Sequence, residues 1–106
     1  GAPVAAATAA MPASALVAHN GARPGMPRFI AFGSDVFDVT ADERSFGPGA
    51  PLERLCGSEC SAELLAQLPA SPGDAALDWL EASRRKEELR RLLLGKYPRV
   101  ARLEPR

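Results

Sequence analysis

Histidine is almost missing from this chain: His19 is the only one in 106 residues. A site built on paired imidazoles is therefore excluded. So is a closed zinc centre, which needs four nitrogen or sulfur ligands. Cysteine is nearly as scarce. Cys56 and Cys60 stand four residues apart, too close to staple a domain through a disulfide, and they read as small buried apolar residues. No apolar run approaches the roughly 20 residues that span a bilayer. Net charge is absent too, with 13 basic against 13 acidic side chains, so nothing draws the whole chain to nucleic acid or anionic lipid. No nucleophile–base pair, metal cluster or phosphate loop can be read, and nothing in the chain supports catalysis. There is no internal repeat.

What is present is one small domain's worth of chain, 46% hydrophobic and 25% charged, the composition of an ordinary globular protein. Its charge is unevenly spread. Residues 1–83 carry four arginines against ten acidic side chains, or −6, and residues 84–106 carry nine basic against three acidic, or +6. The last quarter can thus meet an acidic partner, a phosphate-rich surface or the chain's own acidic face. The opening "GAPVAAATAA" reads as a small, featureless tail (1–10), compatible with presequence cleavage but carrying no targeting signal of its own. With so little apolar side-chain area it needs another surface to be ordered.

Along the chain, "MPASALVAHNGA" (11–22) predicts a short helix with Pro12 in its first turn and a turn at Asn20-Gly21. "RFIAFGSDVFDVT" (28–40) predicts a β-hairpin through Gly33-Ser34-Asp35. Thr40 to Glu43 has the spacing of a capping box and opens a helical turn that ends before Gly47. "GPGAP" (47–51) forbids regular structure. Ser58 is expected to cap a helix through Leu68, with Leu64, Leu65 and Leu68 inward. A loop over 69–73 and a cap at Asp74 lead into a helical pattern with Leu77, Trp79 and Leu80. A polar stretch from Ser83 to Glu88 interrupts it, before Leu89, Leu92 and Leu93 resume the stripe and Gly95 closes it. That pattern is either one long helix or two. "KYPRVARL" (96–103) closes as a strand. The fold class is α+β, a small sheet with short helices around a Gly/Pro loop.

Three ordered segments covering about residues 11–103 resemble the membrane-associated progesterone receptor family, a branch of the cytochrome b5-like heme/steroid-binding fold. "MPASALVAHNGARPGMPRFIAFGSDVFDVT" resembles its opening helix, turn and strands ending Val-Phe-Asp-Val-Thr. "FGPGAPLERLCGSECSAELL" resembles Tyr-Gly-Pro-x-Gly-Pro-Tyr-x-x-Phe-Ala-Gly-x-Asp-Ala-Ser-x-x-Leu, and "KYPRVARL" resembles Lys-Tyr-Pro-x-Val-Gly-x-Leu. The resemblance implies a heme pocket whose axial tyrosine falls on Leu52, which has no lone pair to offer iron. The family's earlier tyrosine falls on Phe46, its phenylalanine on Leu55, its helix Asp on Glu59 and a following Arg on Ala62. Lys96 and Tyr97 match the pair that supports heme. Residues Phe46, Leu52, Leu55, Lys96 and Tyr97 thus outline a degenerate pocket for which no cofactor is expected, the alternative being heme b held through Tyr97 or another group. The interval from Trp79 to Lys96 is longer than in the family, giving a charged helical extension at about 81–95.

The expected function is a non-catalytic domain built into a larger complex as an accessory subunit. Its partners are expected to be other protein subunits, with anionic lipid headgroups as a further contact. Nucleic acid enters only as part of a mitochondrial ribosome. The Ala/Arg/Pro-rich composition suits a mitochondrial protein that joins a respiratory-type membrane complex through partners. Arg84, Arg85, Arg90, Arg91, Arg99 and Arg102, with the tail, are the expected contact surface, because guanidinium pairs with carboxylate or phosphate in two-pronged fashion. The alternative is a heme, lipid or steroid carrier.

Overall fold

Phe29-Ile30-Ala31-Phe32 places four apolar residues in a row, so as a strand it must be covered on both faces. The computed structural model describes residues 9–67 and 75–104, with side chains from residue 84 in the second stretch. In it, all four residues are buried. This segment is β2 (Phe29–Phe32), joined across Gly33-Ser34 to β3 (Asp35–Asp38). β4 (Arg99–Leu103) pairs antiparallel with β3, and β1 (Ala10–Met11) pairs parallel with β4, giving the order β1-β4-β3-β2. The fold class is α+β, as the sequence predicts.

Strand alternation divides the core in two. On one face Phe29, Ala31, Val36 and Ala101 pack with Leu16 of α1 (Ala13–Val17). On the other, Ile30, Phe32 and Phe37 join Val39, Phe46, Leu55, Cys56, Cys60, Leu64, Leu93 and Tyr97. Both cysteines are free and buried, as small apolar residues should be.

Several local readings change. Pro12 is the residue before α1, not inside it. Ala10, assigned to the tail, is a strand residue opposite Arg102, and the Arg102 amide donates to the Ala9 carbonyl. Two small residues carry no strand signal of their own. The capping box does not form: Asp42 caps α2 (Glu43–Phe46), accepting from the Ser45 amide. Thr40 is taken instead by the Arg28 amide and by Asp38. A short 3-10 helix, Glu53–Leu55, follows the Gly/Pro loop.

Ser58 does not cap α3 (Ser61–Ala66); its hydroxyl donates to the Leu55 carbonyl, and Cys60 holds the cap position. The Glu59 carboxylate accepts from the Ser61 amide and hydroxyl and from the Gly33 amide at 2.6 Å, tying α3 to the hairpin turn. α4 (Ala75–Lys96) is one helix of 22 residues and runs through Gly95. Leu93 is buried, Leu89 packs at the core's edge, and Leu92 is 67% exposed rather than inward. What the sequence implies for residues 1–8, Leu68 to Asp74, and the side chains of Leu77, Trp79 and Leu80 lies outside the described residues.

Candidate functional site

The Gly/Pro loop returns the chain against the end of α4. Phe46, the last residue of α2, is buried and meets the Tyr97 ring edge-on, with centroids 5.9 Å apart at 82°. Leu52 donates its amide to the Ser45 carbonyl at 2.8 Å and rests half-buried against the same core cluster as Leu55. Tyr97 follows directly on α4, its amide bound to the Leu93 carbonyl. Four of the five predicted pocket residues are thus brought into one cluster. The fifth, Lys96, is exposed and places its ammonium 5.4 Å from the Tyr97 ring centroid.

Asp42 joins them, and its part was not read from the sequence. It accepts a short hydrogen bond from the Tyr97 hydroxyl while capping α2, and Lys96 Nζ lies 3.7 Å from its Oδ2. The Tyr97 hydrogen bond, foremost, holds the Asp42 carboxyl below its usual range. Burial and that same bond push the Tyr97 phenol upward. The Asp-x-x-Ser spacing at 42–45 was a cap signal as good as Thr40-x-x-Glu43, and it could have found Asp42.

These donors do not suit a heme iron. Leu52 is aliphatic, and the Tyr97 oxygen is committed to a carboxylate. Burial pushes the Cys60 thiol up to about 12 and raises that of Cys56, so neither supplies a thiolate near neutrality. His19 belongs to the other core face, stacked on Phe29 at 4.0 Å with Nδ1 donating to the Pro27 carbonyl. Among the described residues no group of three or more His, Cys, Asp or Glu could hold a metal ion. The clefts at the Gly21–Arg28 loop, beside the hairpin turn and beside α1 are not lined by Phe46, Leu52, Leu55 or Tyr97.

The arginines expected to face a partner divide differently. Asp35 starts β3 on the α4 side of the sheet, where its buried carboxylate accepts from Arg90 Nε at 2.8 Å and Arg99 Nη1 at 3.1 Å. Arg90 and Arg99 are therefore not free for an outside anion. The cause is geometric: strand period places Asp35 and Phe37 on one face, a register shift between Val36 and Phe37 sets Arg99 opposite Phe37, and Arg90 of α4 reaches the same carboxylate. Arg91 is 76% exposed, and its Nε lies 3.7 Å from the carboxylate of a helical neighbour, Glu87. Arg102 is exposed. Arg84 and Arg85 each have a partner and are not free.

This arrangement of sheet, loop and helices has solved counterparts. A candidate steroid-binding protein of Arabidopsis aligns at 25% identity over 90% of this chain and 96% of its own, with a TM-score of 0.69. The fold is cytochrome b5-like. An Arabidopsis thaliana protein described as having that fold gives 23% identity, 92% and 93% coverage and a TM-score of 0.67. A Hadesarchaea cytochrome b5 domain protein gives 22% identity, 90% and 97% coverage and 0.54. No protein-family model matches the sequence, and no curated protein does. No helix among the described residues is long and apolar enough to cross a membrane.

Proposed function

We propose that this cytochrome b5-like domain has lost its heme ligand and acts without catalysis, as a structural accessory subunit of a larger assembly. The carrying observation is Leu52: where the resemblance puts a ligating tyrosine, a leucine rests against the core, and the nearby Tyr97 hydroxyl is engaged by Asp42. The assembly we favour is a mitochondrial membrane complex of respiratory type, a reading that rests on composition and the charged extension. Its partners are other protein subunits.

The test is a hemin titration of the folded protein. A saturable Soret band should not appear. A stoichiometric band abolished by Tyr97→Phe would overturn the reading. A second function, a small-lipid or steroid carrier, is favoured by the likeness to a candidate steroid-binding protein. Native purification decides between the two: co-purifying subunits support the assembly, and a monomer bearing a lipid supports the carrier.

A further inference from the structure

The first 83 residues hold four basic side chains, Arg23, Arg28, Arg44 and Arg54. Three of them gather around one loop. A cleft of ≈ 460 Å³ is lined by the loop from Gly21 to Arg28 and by Asp38 and Thr40. Arg54 lines a neighbouring cleft of ≈ 370 Å³ that shares Gly21 and Ala22 with it. In a segment whose net charge is −6, this convergence of cations marks the loop as a place for an anion.

The backbone of both cleft arginines is held in place. Arg23 opens a β-turn with Pro24 and Gly25 at its centre, closed by the Met26 amide on the Arg23 carbonyl at 3.2 Å. Proline at the second position and a glycine at φ 84° at the third define a type II turn. Arg28 is pinned by its amide on Thr40 Oγ1 and by its carbonyl, which accepts from the Val39 amide. Its side chain runs under Gly21, where a Cβ would come within 2.8 Å of Nε. That Nε is buried and has no hydrogen-bond partner. Among the described residues, neither Arg23 nor Arg28 forms an ion pair. A guanidinium already half withdrawn from water, with no carboxylate on it, gains more from an arriving anion than a solvated one does.

Asp38 sets what that anion must carry. Its Oδ1 accepts from the Thr40 amide at 2.9 Å and hydroxyl at 2.5 Å, leaving Oδ2 to accept another donor. A carboxylate lining the same cleft as the two arginines disfavours a bare dianion and favours a phosphate with a hydroxyl close by. The geometry points to a binding site for a phosphorylated polyol, its phosphate on Arg23 and Arg28 and a neighbouring hydroxyl on Asp38. This goes beyond the scaffold reading and shares no residue with the Phe46–Leu52–Tyr97 cluster. The polyol can be a soluble metabolite or the headgroup of a lipid.

The experiment follows backbone amide shifts of the whole chain during titration with glycerol 3-phosphate, alongside flotation with phosphatidylglycerol or phosphatidylcholine vesicles. Saturating shifts at Gly21, Ala22 and Gly25 are expected. Arg23→Gln with Arg28→Gln should weaken binding about tenfold or more, the worth of one charge-assisted hydrogen bond, and Arg44→Gln should leave it unchanged. Arg23→Gln alone lies on an exposed turn and serves if the double variant fails to fold. Binding of the soluble ester alone assigns a metabolite, and selective flotation with phosphatidylglycerol assigns a headgroup. No saturation with either probe, or binding indifferent to Arg23, overturns the site. Equal affinity for inorganic phosphate overturns the role of Asp38.

Discussion

Tyr97 is the chain's single tyrosine, so phenol absorbance reports it alone. Desolvation and the Asp42 bond raise its pKa, which means the fold favours the neutral phenol. The stability this contributes is fully present below the unfolded value near 10 and is lost as pH rises through the folded value. Alkaline titration at 295 nm should therefore show ionisation later than in the unfolded chain. Asp42 has the opposite sign. Its lowered pKa supplies stability above the unfolded value near 3.9, lost as pH falls through the folded one. Tyr97→Phe should cost about 1–2 kcal/mol in urea unfolding and move the Asp42 titration upward. Unchanged stability and an unchanged Asp42 would show that the bond is unimportant. Phe46, Leu52, Leu55 and Tyr97 were legible in sequence because ordered motifs fixed their places. Asp42 was not, because two overlapping cap spacings compete over the six residues 40–45 and only the Arg28 amide's hydrogen bond to Thr40 decides.

At the scale of elements, α4 and the β2–β3 hairpin are joined through Asp35. Its side chain is 8% exposed, and those of Arg90 and Arg99 are 38% and 28% exposed. Arg90→Glu would set a second carboxylate against a buried one. It should destabilise by about 2–3 kcal/mol, below the full cost of breaking a buried pair because Arg90 keeps solvent contact. Arg91→Glu, on the exposed face of the same helix, should stay within about 0.5 kcal/mol. Equal effects of the two changes would mean that the Asp35 clamp does not hold α4. Leu93→Ala should cost about 2–5 kcal/mol, and Leu92→Ala far less. The leucine run hid this difference: successive helical residues are about 100° apart, so Leu89, Leu93 and Tyr97 share a side that Leu92 leaves. The hairpin was readable because its turn and apolar runs are local. β1 was not, because its pairing with β4 spans the whole chain and Ala10-Met11 carries no alternation.

Across the whole molecule, the −6 segment (1–83) and the +6 segment (84–106) of the sequence partly meet one another. Arg90 and Arg99 close on Asp35, and Lys96 lies by Asp42. Three cations of the last quarter thus bind acids of the first half, and the polarised composition helps the chain end dock on its beginning. What the sequence presents as a uniform basic surface is divided between cations that serve the fold and cations that face outward. Lys86, Arg91 and Arg102 are exposed, and under the scaffold reading an acidic neighbour attaches there. Reversing Lys86, Arg91 and Arg102 to Glu together spares the Asp35 clamp, so urea unfolding should change by little more than surface substitutions do. The same protein should be lost from the native assembly on size-exclusion chromatography, while Arg44→Glu, which reverses an exposed charge in the first half, should remain in it. Guanidinium-to-carboxylate contacts at an interface act over a short screened range, so wild-type association should also weaken as salt is raised. Full retention of the triple variant, with no salt dependence, would remove the basic face from the interface and shift weight to the carrier function.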